Sequence, residues 1–234
     1  MRYEPAVLRL LLLLSMTFSL AARAAEPVPE EAVKPPELIG KITLAKTGFF
    51  AGGFVTAFVL HESGHLITDL SLGVHPHIAE VKFGGFIPFF AIDSGIGCSG
   101  GVCTQNGEPF GAGQRGAAVI FSAGFQMQHL EDELILSLQP DLRNVDGPFR
   151  KGMFAFNTAT SIGYVLADWI GVEPVSGDIA SMNRVTRVPR AITTGGLMSI
   201  AVVDLLRFWY PESQLLPWTA RALKVAFCGS VLAF

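Results

Sequence analysis

Charge is what this chain has least of. Charged side chains make up 16% of its 234 residues, where a soluble domain carries nearer a quarter. Half of the residues are hydrophobic and the mean hydropathy is +0.44. Cysteine is scarce as well. Three are too few for a disulfide framework. There is no excess of positive charge, with a net charge of −3 and a pI near 5.9, which excludes a basic footprint for nucleic acid. No internal repeat is visible. What the chain does have is long apolar runs, and these point to a membrane protein of one domain.

The first 25 residues read as a targeting segment. Arg2 and Arg9 flank its start, "LLLLLSMTFSL" is an apolar core, and "ARA" precedes "AEP". That is the plan of a cleavable secretory signal, and an uncleaved first span is the alternative. Either way the chain goes to an exporting membrane, the bacterial inner membrane being the simplest case. Residues 26–45 include "EPVPEEAVKPPELIG", rich in Pro and Glu without apolar period, and read as an extramembrane linker. From residue 46 to 234 the expectation is one integral-membrane domain. It is mainly α: a polytopic transmembrane helical bundle with a small membrane-associated β-element. Spans are expected from about Lys46 to Leu72, Arg115 to Leu138, Gly152 to Val172 and Ala191 to Tyr210. Gly73, Pro140 and Pro211 are the stop signals. "VHPHIAEVKFGGFIPFFAIDSG" reads as short strands turning at Gly84-Gly85, and "CSGGVCTQNGEPFGAGQ" as a Gly-rich loop. The apolar tail is either a marginal span or an interfacial helix.

The stretch His61-Glu62-Ser63-Gly64-His65 follows an apolar run that carries no charge after Lys46. Two histidines at i and i+4 on a helix project from one face, one turn apart. Neutral imidazoles are good zinc ligands, and two of them leave room for a third protein ligand and a water. Glu62 sits beside the metal position without ligating it, where it can take a proton from water. This is the HExxH arrangement. The plain alternative is an amphipathic helix end with solvated polar groups, but charge inside an apolar span is costly and points to function.

The third ligand is open among three aspartates. A metzincin extension would need glycine and histidine where Thr68 and Ser71 stand. Asp69 continues the His61–His65 stripe and is better suited to hydrogen-bond His65 from outside the ligand set. Asp168 lies inside the third span. Asp178 follows Pro174 and Gly177, where a broken backbone can turn a carboxylate inward; its alternative is a helix N-cap.

Four stretches, in order, resemble the site-2 protease family of intramembrane zinc metalloproteases, as a divergent member. They are "HESGH", "LGVHPHIAEVKFGGFIPF", "FSAGFQMQHL" and "EPVSGDIASM". The resemblance implies Zn2+ held by His61, His65 and Asp178, with Glu62 as the catalytic base. It puts Gln128 near the substrate, where the family has Asn. Phe125 departs from the family's proline, and Gly177-Asp178 stands where Asp-Gly is expected. An inserted PDZ domain has no room.

The expected function is hydrolysis of a peptide bond in or near the membrane, in a membrane-protein or membrane-bound peptide substrate. A catalytically inactive membrane scaffold that kept the zinc-protease frame is the rival, and a metal transporter is weaker because transport needs no base. Nucleic acid is not an expected partner. Counting spans from Lys46, the HESGH end of the first span and the Asp178 segment share one side. With a cleaved signal that side is cytoplasmic, and Cys98 and Cys103 are expected as reduced thiols; in an oxidising compartment the two could bridge.

Overall fold

The computed structural model describes residues 43–83, 87–172, 177–186 and 188–232. The targeting segment, most of the linker, the Gly84-Gly85 turn and Pro174 lie outside the described residues. The chain is mainly helical with a small β-element. Helix α1 (Leu44–Ser71) leads into a hairpin of β1 (His77–Phe83) and β2 (Ile87–Asp93). A meander of β3 (Ile96–Ser99), β4 (Val102–Gln105) and β5 (Glu108–Pro109) follows. Then come α2 (Gly113–Leu138), α3 (Pro148–Trp169), α4 (Asp178–Thr186), α5 (Arg190–Trp209) and α6 (Leu215–Leu232).

The helix limits have local causes. Thr43 caps α1 by accepting from the Lys46 amide. Gly73, at φ 74°, closes its other end, with the Val74 amide returning to the Asp69 carbonyl as in a Schellman motif. Pro148 opens α3, where a missing N–H costs nothing. The meander replaces the expected Gly-rich loop. Its turns at Gly100-Gly101 and Asn106-Gly107 have positive φ at both central residues, the geometry that joins two strands tightly. Cys98 and Cys103 face each other across β3 and β4 and form a disulfide, contrary to the expectation of free thiols.

Helices α1 and α3 run side by side from the same end, where Lys46 pairs with Asp146. They touch through glycine. A Cβ on Gly53 would lie 1.9 Å from the Phe149 carbonyl oxygen, and one on Gly152 would lie 2.0 Å from that of Phe50. The main core joins α2, α4, α5 and α6 to β4 through Cys103, Ile120, Phe125, Ile179, Leu197 and Phe227. Helix α1 is inside out: it buries Gly53, Ala57, His61, Gly64, His65 and Asp69 and exposes Phe49, Val55, Val59, Ile67 and Leu70. Two of the described helices, α1 and α5, are long and apolar enough to cross a membrane.

Candidate metal centre

His61 and His65 leave α1 on the stripe that faces α2 and α4, and both are buried. Asp178, the first residue of α4, meets them from the other side. Its Oδ2 lies 3.2 Å from His61 Nε2 and its Oδ1 lies 3.4 Å from His65 Nε2. One ligand atom from each residue falls within 4.8 Å of the others, the one such cluster of His, Cys, Asp and Glu among the described residues.

The protons decide what this cluster can hold. His65 Nδ1 lies 2.9 Å from the Ile120 carbonyl, which only accepts, so Nδ1 carries a proton and, in the neutral ring, Nε2 presents a lone pair. A neutral His61 protonated on Nδ1, which has no protein partner, would do the same. A carboxylate facing two bare nitrogens is three acceptors turned on one point, and a cation between them resolves the conflict. Two donors on one tetrahedral zinc, each about 2.1 Å from it, stand about 3.4 Å apart, close to the spacings observed. The residues therefore fit such an ion. Burial would raise the Asp178 carboxyl; where the imidazoles carry protons on Nε2 in place of an ion, the charge and hydrogen bonds of His65 and His61 outweigh burial and hold it well below the usual carboxylate range.

The site depends on a missing side chain in α2. A Cβ on Gly124 would lie 2.4 Å from His61 Nε2 and 2.5 Å from His65 Nε2. Gly64 returns the favour on α1, since a Cβ there would lie 2.6 Å from the Ala123 carbonyl oxygen. The pair Ala123-Gly124 is part of "FSAGFQMQHL", so that stretch lies against the histidines. Its role as a backbone seat for imidazoles is one that sequence reasoning missed. The signal was two small residues in an otherwise bulky run.

Glu62 follows the first histidine, and its Oε2 accepts a 2.7 Å hydrogen bond from the Ile92 amide on β2. Asp69 does not take the His65 ring proton. It accepts from Ser94 Oγ at 2.9 Å, while the imidazole lies in the groove left open at Gly124 and reaches the Ile120 carbonyl one turn earlier. Asp168 is not at the cluster. It pairs with Arg190, which also donates to its carbonyl, and so ties the end of α3 to the start of α5 across the segment carrying Asp178. Phe125 is fully buried with its ring edge-on to His61. Gln128, one turn beyond Gly124, is fully buried, and neither its oxygen nor its nitrogen has a partner. The charged run after it faces inward: Asn157 on α3 donates to Asp132 at 2.9 Å and to Glu131 at 3.2 Å.

Comparison with protein-family models, curated proteins and solved structures returns no match.

Proposed function

We propose that this chain is an integral-membrane zinc metalloprotease that hydrolyses a peptide bond in or near the bilayer, in the manner of the site-2 proteases it resembles. One observation carries the reading: His61 Nε2, His65 Nε2 and the Asp178 carboxylate converge on a single point, with Glu62 next in sequence to His61. The inside-out α1 supports a bilayer setting, since a helix that buries glycine and histidine and exposes phenylalanine and valine suits lipid. In this reading α2 and α3 cross beside α1 and α5 with their acidic and amide groups turned inward, making a polytopic bundle. The membrane would be the bacterial inner membrane.

Zinc at this site would polarise the scissile carbonyl and acidify a water. Glu62 would take the proton as the water oxygen bonds to the carbonyl carbon. It would pass that proton to the amide nitrogen as the C–N bond breaks. Its hydrogen bond from Ile92 fixes the carboxylate on the strand side of α1. Gln128 would hold a polar group of the substrate. The same Ile92 contact favours the rival reading of a membrane scaffold, because it occupies one lone pair of the carboxylate that would act as the base. The test compares membrane proteins from cells producing wild type and Glu62→Gln. A membrane protein cut in the first and uncut in the second supports proteolysis. Identical patterns, with metal retained in both, would favour the scaffold.

A further inference from the structure

We infer that the chain holds a second ion: Glu131 and Asp132 of α2, Asn157 of α3 and the side-chain oxygen of Gln128 form an oxygen-lined site for one monovalent cation, Na+, between α2 and α3. The inference does not rest on the protease reading.

Glu131 and Asp132 are both buried, at 6% and 5% exposure. The basic side chains nearby are engaged elsewhere. Arg207 and Lys224 pair with Glu133 and Asp204, and Arg221 pairs with Glu133. What reaches Glu131 and Asp132 is a neutral amide. Asn157 Nδ2 lies 3.2 Å from Glu131 Oε2 and 2.9 Å from Asp132 Oδ1. One amide cannot neutralise two carboxylates, and a buried carboxylate without countercharge is costly.

The missing charge can be counted. Asp132 feels Glu131 and Asp204 as well as Lys224, so these groups act as one cluster. Glu131, Asp132, Glu133 and Asp204 bring four negative charges, and Arg207, Arg221 and Lys224 bring three positive ones, with His129 neutral. One monovalent ion closes the count, and a divalent ion overshoots it.

Orphaned oxygens mark where the ion belongs. Asn157 and Gln128 are fully buried, and Asn157 Oδ1, Gln128 Oε1 and Glu131 Oε1 all lack a partner. Gln128, Glu131 and Asp132 stand at i, i+3 and i+4 on α2, one face of the helix. The Asn157 amide touches that face, with its Nδ2 3.5 Å from the Gln128 carbonyl. A proton in place of the ion would sit on one oxygen and donate to one other, which leaves the third unmet. A hard cation takes several carboxylate and amide oxygens at once. Gln128 Oε1 on the ion leaves its Nε2, also without a partner, for the substrate role proposed above. Gln128 is one turn past Gly124, the seat of the imidazoles, so the ion would brace α2 against α3 beside the zinc ligands.

The test uses the full-length chain purified in detergent, with NaCl exchanged for choline chloride at constant ionic strength. The unfolding midpoint should rise with Na+, by roughly 3–6 °C at ten times the dissociation constant. Glu131→Gln removes the charge and keeps the shape, and it should abolish the dependence. Radioactive sodium retained by the wild-type chain and displaced by unlabelled Na+ reads the same site without a variant. The same midpoint in both salts, no retained sodium, or an equal rise in Glu131→Gln would overturn the inference. So would a midpoint that follows pH and ignores Na+, the mark of a proton in the ion's place, or one that follows Ca2+ and ignores Na+. His61→Ala/His65→Ala should lose zinc and keep the Na+ response, so failure of one site is distinguishable from failure of the other.

Discussion

Asp178 and Gly124 carry the site in different ways, one by its carboxylate and the other by having no side chain. Asp178→Ala removes one of the three proposed ligands, and a zinc affinity loss of about a hundredfold or more is expected, by analogy with the outer partners whose removal costs 10–100-fold. Asp69→Ala should retain metal, because its carboxylate serves Ser94 and not His65. Zinc retention against a graded chelator in detergent checks both. Gly124→Ala should also lose metal, since its methyl would stand within 2.5 Å of both imidazole nitrogens. The zinc lost by Gly124→Ala with helix content unchanged would separate displaced ligands from an unfolded chain.

At the scale of elements, the Asp168–Arg190 tie is the clamp on the Asp178 segment. Arg190 is half exposed, so the pair is worth modestly little by itself. Asp168→Asn should weaken zinc binding by roughly three- to tenfold, about 0.7 to 1.4 kcal/mol, well short of Asp178→Ala. A chelator titration reads this directly, and an effect as large as that of Asp178→Ala would make Asp168 a ligand. The helix ends were legible where the stop is chemical: Gly73, Pro140 and Pro211 each stand just past a helix limit. The pair His61 and His65 was legible because its geometry is local to one helix turn. The meander was not, because Gly100-Gly101 and Asn106-Gly107 read as loop when taken one at a time, although each pair is a tight-turn signal between strands. The partners of Asp69 and His65 depend on how β2 and α2 dock against α1, and no local pattern carries that.

The whole molecule buries an ionic network away from the His61–His65–Asp178 cluster. Glu133 of α2 takes Arg207 of α5 at 2.7 Å, Arg221 of α6 at 2.7 Å and Lys224 of α6 at 3.3 Å, and Asp204 pairs with Arg207 and Lys224. This network holds α6 to the bundle alongside the apolar packing of Phe227 and Val231. Removing one partner from such a pair strands the rest, at a cost of about 3–5 kcal/mol. Glu133→Gln should therefore lower the unfolding midpoint in detergent and release α6 to protease, with zinc binding intact below the transition. An unchanged midpoint would mean the cations find water instead. At this scale the sequence was least informative, because the partners of Glu133 lie more than seventy residues away.

The most direct test of the metal centre is the zinc-to-protein ratio of the full-length chain purified in detergent, measured by elemental mass spectrometry. Wild type and Glu62→Gln should each carry about one zinc per chain. His61→Ala/His65→Ala and Asp178→Ala should carry little, with helix content unchanged. Equal zinc in wild type and in the double histidine variant would contradict the account.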